Sequence, residues 1–529
     1  MKTRRRIVQL LIFLLFIFIF FKTTYPYDER FVNVFMRFSP LNSVFPAMFG
    51  SVGKYLLISA GVLVLTIFLG RFFCGWVCPM GTTIDIGEKL TGSSDNKKGQ
   101  KKFGWIRYFL LVFILASAAL GLNTAFMFEP MSLSYRFYTF CIFPAADIFW
   151  RFLQTRFDSL SSVSLSQIPV SYVIGVPYFF VFLGIILLGR YYRRFWCRDL
   201  CPLGALFSIF GRFSVLQKKV SDACTGCGKC TRKCKMGAIP EDYRDFSVTD
   251  CIYCFDCVKE CPVKAISFKV DKPKDLNSLI PDMTKFIKGK KHSPADVSSG
   301  FTRRNFLEAV GFGAVTTMVL KRDHQKIHPN QRLIRPPAAL PEEQFNQTCI
   351  RCGECMKTCL TNGLQPCVTE AGVEGFMTPR LIPAAGYCEE KCEMCGEICP
   401  TGAIQKFGVA DKPHIKLGLA NINRSTCLVW LREEDCMVCD EHCSYRAIYW
   451  KEVQGKFRPY VDNERCVGCG MCENKCPVKP EAAITVQSQG EHRVKLQPGQ
   501  TWAQINPIPE QTKSDKFHDR PSNSDMPYK

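Results

Sequence analysis

The chain has 529 residues, 30 of them cysteine, and a formal net charge of +21. The length allows three or four domains. The basic balance alone would admit a nucleic-acid binder, but much of it flanks apolar segments in the first 200 residues, so nucleic acid is set aside as a partner.

The N-terminal third contains four apolar stretches, near Ile7–Thr24, Tyr55–Phe73, Tyr108–Phe128 and Val170–Gly189. A bilayer takes about 20 apolar residues, so each is a candidate span. Lys2, Arg4, Arg5 and Arg6 precede the first, and no small-residue cleavage site precedes Lys22, which favours an anchor over a signal peptide. Basic residues fill Lys97–Arg107 and follow the fourth stretch at Arg190, Arg193 and Arg194. The positive-inside rule then puts both ends of a four-span bundle in the cytoplasm. Arg136–Phe152 is broken by Pro144 and Asp147 and is expected to lie in the lipid interface or to re-enter rather than span.

Two of these stretches end in one motif, C-x3-C-P-x-G: Cys74, Cys78, Pro79 and Gly81, then Cys197, Cys201, Pro202 and Gly204. The repeat predicts a duplicated helical hairpin. It brings four thiols toward one face, as a catalytic redox site or the ligands of a further metal or cluster. The plainer alternative is a pair of structural corners, where Pro and Gly end a helix.

The strongest signal follows. Four runs read C-x2-C-x2-C-x3-C: Cys224, Cys227, Cys230, Cys234; Cys251, Cys254, Cys257, Cys261; Cys349, Cys352, Cys355, Cys359; and Cys466, Cys469, Cys472, Cys476. Two looser quartets are Cys388, Cys392, Cys395, Cys399 and Cys427, Cys436, Cys439, Cys443. Three thiolates two residues apart can wrap one inorganic core, and the fourth reaches the neighbouring cluster. The quartets predict six 4Fe-4S clusters, with these cysteines as iron ligands, in place of zinc or a disulfide framework. Pro262, Pro400 and Pro477 follow the fourth cysteine, as in bacterial ferredoxins, whereas Lys235, Leu360 and Ser444 stand there in the other three quartets. Pairing of the four C-terminal quartets stays open: one with two and three with four, or one with four and two with three. Cys141 and Cys367 stand alone and are expected as small buried side chains.

All seven histidines lie at His292 or later, and no C-x-x-C-H run occurs, so b-type haem in the spans and c-type haem lack ligands. Quinol is the electron donor that suits a membrane protein of this kind. Residues 271–340 read as a linker. Within it, Arg303-Arg304 with Phe306-Leu307 before a weakly apolar run at 302–320 resembles a twin-arginine export signal.

The expected architecture is therefore an α-helical transmembrane bundle at 1–217, with four spans in a duplicated hairpin, plus α+β ferredoxin-like polycluster domains. These are a two-cluster domain at 218–270 and a four-cluster domain at 341–488, with a polar tail at 489–529. In motif order the first half resembles the NapH/MauN family of membrane ferredoxin-type quinol dehydrogenase components. The second half, with Arg303-Arg304, then Ile334 to Phe345, then four quartets, resembles the NapG/MauM ferredoxin-type proteins. The resemblance implies a fusion that sits in the bacterial inner membrane, in contact with lipid. Its first ferredoxin domain would be cytoplasmic and its C-terminal domain periplasmic, and it would oxidise quinol and reduce a periplasmic redox partner. The rival functions are a redox factor for metalloenzyme assembly, or a cytoplasmic subunit fed by soluble ferredoxin.

Overall fold

The computed structural model describes residues 2–23, 34–43, 55–92, 103–157, 169–190, 193–240, 243, 246–270, 301–321, 330–488, 493–497 and 499–507. The stretch 271–300 and most of the tail lie outside the described residues. The chain divides into two units. One comprises Met1–Lys22, Arg30–Cys141 and Gly175–Lys321; the other comprises Thr23–Glu29, Ile142–Ile174 and Arg322–Lys529. The ferredoxin segment 218–270 thus belongs to the same unit as the C-x3-C-P turns.

Five helices give the first unit its frame: α1 (Lys2–Lys22), α2 (Tyr55–Leu69), α3 (Ile106–Ala119), α4 (Gly175–Leu188) and α5 (Arg303–Lys321). The expected transmembrane bundle is not found. Among the described residues, no helix is long and apolar enough to cross a membrane. The reason lies in where the helices stop. Gly70 turns left-handed at φ +61°, which ends α2 after 15 residues. Gly121, at φ +82°, follows the end of α3, and α4 starts only at Gly175; each has 14 residues. At 1.5 Å per residue such helices rise ~22 Å, short of the ~30 Å hydrocarbon core. Helix α1 has 21 residues but bears Arg4, Arg5, Arg6 and Lys22 within its ends. The inner-membrane location and sidedness built on these spans fall with them.

Inside this unit the apolar runs pack on one another. Phe16 of α1 is fully buried and sits edge-on to Phe35, Tyr135 and Tyr138 at 5.2–5.4 Å between ring centres. The segment expected as an export signal is helix α5, laid along α3. An added Cβ on Gly313 would stand 3.1 Å from Ala116 Cβ, so the glycine permits the close approach. Phe312 lies against Phe113 at 5.5 Å.

Short antiparallel strands clamp the cysteine loops. Strand β1 (Leu216–Val220) pairs with β2 (Ile266–Val270), from Leu216 opposite Val270 to Val220 opposite Ile266. In the second unit β3 (Leu364–Pro366) pairs with β4 (Pro379–Leu381). Strand β5 (Leu419–Ile422) pairs with the distant β8 (Ile484–Gln487). Strands β6 (Ile448–Val453) and β7 (Lys456–Val461) form a hairpin. Its turn residues Gln454 and Gly455 both have positive φ, as a tight two-residue hairpin requires.

Candidate iron–sulfur centres

The four tight cysteine runs share one backbone device. Left-handed residues stand on either side of each second cysteine: Gly226 and Gly228, Tyr253 and Phe255, Arg351 and Gly353, Gly468 and Gly470, with φ from +52° to +87°. Alternating handedness turns successive N–H groups to one side, forming a concave nest that suits an anionic cluster. A second device follows the fourth cysteine. The residue three places on is left-handed in five quartets, at Gly237, Lys264, Asn362, Gly402 and Arg446. That turn aims a backbone N–H back at sulfur. Ala238 donates to Cys234 Sγ, Ala265 to Cys261 Sγ and Ala447 to Cys443 Sγ, each at 3.3 Å. Ile404 donates to Cys399 Sγ at 3.4 Å. The turn forms whether or not proline follows the cysteine, so Lys235, Leu360 and Ser444 do not disrupt it.

Three cavities show how the quartets combine. One is lined by Cys224, Cys227, Cys230 and Cys261. Another is lined by Cys388, Cys392, Cys395 and Cys359. The third is lined by Cys427, Cys436, Cys439 and Cys476. In each, three thiols come from one loop and the fourth from the partner loop.

The other three sets show the same exchange. Burial pushes up the thiols of Cys254 and Cys257, and Cys234 beside them adds to the rise. Burial and nearby thiols likewise raise Cys352 and Cys355, and for both these neighbours include Cys349 and Cys399. For Cys472 they are Cys469, Cys466, Cys443 and, with the smallest effect, Cys439. The C-terminal pairing is therefore one with two and three with four. Strand pairing agrees. Bridge Ala339–Ile404 closes around the 349 and 388 quartets, and β5–β8 closes around the 427 and 466 quartets, as β1–β2 does around the first pair.

Four-thiol cavities, nests and N–H···S bonds fit 4Fe-4S clusters. Among the described residues no three His, Cys, Asp or Glu side chains close around a single ion, and no disulfide joins any cysteine. Cys367 is fully buried, with Arg335 Nη1 at 3.5 Å from its sulfur. Cys141 donates to the Gly175 carbonyl at 3.4 Å. Both lie outside the four-thiol sets.

The C-x3-C-P cysteines also come together. Cys74, Cys78, Cys197 and Cys201 are all buried. Burial pushes Cys197 up to about 12, with Cys74 nearby adding to the rise against Arg194, and Cys201 is raised by burial and by the other three thiols. The arginine three residues before each motif crosses to the other copy. Arg194 Nη1 donates to the Cys74 carbonyl at 3.0 Å, and Arg71 Nη2 to the Cys197 carbonyl at 3.2 Å. Asp85 neutralises Arg194 at 2.8 Å. On the other side Asp250, next to Cys251, pairs with Arg107 at 2.7 Å and lies 3.9 Å from Arg71. The 251–257 loop abuts this site directly, since Trp76 Nε1 donates to the Tyr253 carbonyl at 3.1 Å. The repeat was visible in the sequence; the crossing of its arginines was not.

Comparison with known proteins gives the same chemistry. A 4Fe-4S binding domain family matches residues 55–107 and 174–221. 4Fe-4S dicluster domain families match 217–262 and 434–479. The methylamine utilization ferredoxin-type protein MauM of Paracoccus denitrificans is 35% identical over 173 residues, covering 29% of this chain and 71% of that protein. The chain belongs to the MauM ferredoxin-type family. The ferredoxin-type protein NapG of Escherichia coli is 29% identical, covering 34% of this chain and 83% of NapG. The putative electron transport protein YccM of the same organism is 25% identical, covering 41% of this chain and 56% of YccM. No solved structure matches. The chain is thus a ferredoxin-type 4Fe-4S electron-transfer protein.

Proposed function

We propose that this MauM-type chain is a relay of six 4Fe-4S clusters that accepts electrons from quinol and passes them to a redox protein. The ligand sets are Cys224, Cys227, Cys230 with Cys261; Cys251, Cys254, Cys257 with Cys234; Cys349, Cys352, Cys355 with Cys399; Cys388, Cys392, Cys395 with Cys359; Cys427, Cys436, Cys439 with Cys476; and Cys466, Cys469, Cys472 with Cys443. The observation that carries the reading is the exchange of the fourth cysteine within each clamped pair of loops, which holds two sites side by side.

Each cluster, when bound, supplies a one-electron redox centre. The chain's own residues do the rest. Backbone N–H groups at Ala238, Ala265, Ile404 and Ala447 hold the ligand sulfurs. Apolar side chains such as Ile239 and Ile266 pack around the first pair and exclude water. In the second unit, Cys388 N donates to the Cys469 carbonyl at 2.8 Å, which ties the two pairs together. In the first unit, the 251–257 loop rests on the turns bearing Cys74, Cys78, Cys197 and Cys201. Those four cysteines are the proposed entry point, where quinol gives up two electrons and two protons. Quinol as donor rests on the resemblance of the first half to NapH/MauN proteins. The N-terminal half is read as a NapH/MauN-type partner joined to a MauM/NapG-type half.

The test uses full-length chain, reconstituted anaerobically. Iron and sulfide should reach four of each per quartet, and a reduced menaquinone analogue should reduce the clusters, as followed by EPR. Clusters reducible by dithionite but not by the quinol would overturn the donor. Iron well short of four per quartet would overturn the six-cluster relay.

A further inference from the structure

Lys412 lies in the short helix Val409–His414, is 2% exposed, and places Nζ 2.8 Å from Cys388 Sγ, to which it donates. The ammonium also stands 5.6 Å from the Phe407 ring centre. Burying an ammonium is costly unless an anion faces it. A neutral thiol is a poor partner; a thiolate bound to iron is a good one. The same cysteine forms the seam between the two C-terminal pairs, through Cys388 N and the Cys469 carbonyl.

We propose that Lys412 is a positioning and tuning residue that raises the reduction potential of the cluster on Cys388, Cys392, Cys395 and Cys359. Electrons then settle at the seam between the two pairs before moving on. The proposal rests on the six-cluster reading. Reduction adds one negative charge to the cluster, and a buried cation hydrogen-bonded to a ligand sulfur favours the reduced form. Net charge and hydrogen bonds to sulfur are two of the levers that set such potentials, and low local polarity strengthens both. Glu389 and Glu390 act in the opposite sense, but they are partly exposed and screened by water.

Potentiometric EPR titration of full-length protein tests this, with the relevant signal assigned as the one altered in Cys388→Ser. Lys412→Met should make that cluster at least tenfold harder to reduce, a fall of about 59 mV for one electron. Lys412→Arg should keep most of the wild-type value, and iron content should be equal in all three proteins. An unchanged midpoint in Lys412→Met at full iron content would overturn the proposal. So would loss of that cluster alone in Lys412→Met, which would make the lysine merely structural. Wild-type protein lacking a cluster on these four cysteines would instead sink the six-cluster reading itself.

Discussion

Arg194 reaches across 120 residues of sequence to donate to the carbonyl of Cys74 at 3.0 Å. Its guanidinium is fully buried and also binds Gly81 O and Asp85. Removing one partner of a buried ion pair costs about 3–5 kcal/mol, because the remaining charge is stranded. Here Asp85 keeps Lys235 at 2.8 Å and Arg5 at 3.5 Å. Arg194→Met should therefore lie near the lower end, at about 3 kcal/mol. Hydrogen exchange of peptides spanning 71–91 measures it. Protection equal to wild type would mean that the crossing does not hold the two turns together.

The contact between the first ferredoxin pair and the C-x3-C-P turn depends on Gly75. A Cβ there would stand 2.3 Å from the Ile252 carbonyl oxygen. Overpacking of this kind costs about 1–3 kcal/mol. Gly75→Ala should lift the 251–257 loop, breaking the bond from Trp76 to the Tyr253 carbonyl. Trp76 emission should shift to the red and exchange at 252–255 should quicken. Gly184→Ala, at a helical glycine with nothing within 4 Å, is the control and should change neither.

Much of the candidate site was legible because cluster ligation imposes a fixed rhythm on cysteine. All six quartets could be named from spacing. Which C-terminal quartets exchange fourth cysteines could not, because that depends on which strands close on each other, and β5 finds β8 over 60 residues away. The spans failed for a local reason. Hydropathy read Tyr55–Phe73 as one stretch, but the left-handed turn at Gly70 ends the helix at Leu69 and sends the chain into the cysteine turn. Lys412 carried no sequence signal, since it lies 13 residues beyond Cys399, outside every quartet, and meets Cys388 only through folding.

The second unit carries an acid-sensitive clamp. Glu342 is bound by Arg335 Nε at 3.0 Å and by Arg493 Nη2 at 3.0 Å. Burial alone would raise its pKa, but the two guanidiniums hold it down to about 2. An unfolded glutamate titrates near ~4.3. A carboxyl depressed in the folded state stabilises the fold above the unfolded value, and that contribution drains away as pH falls from about 4.3 toward 2. Glu342→Gln lacks the contribution at every pH. The variant should be less stable than wild type by about 3 kcal/mol at pH 7 and by the same amount at pH 6. The gap should narrow at pH 4 and narrow further at pH 3. Urea unfolding of both proteins at these four values reads the gap. A difference that stays constant down to pH 3 would show that the ionised carboxylate is not what the two arginines hold.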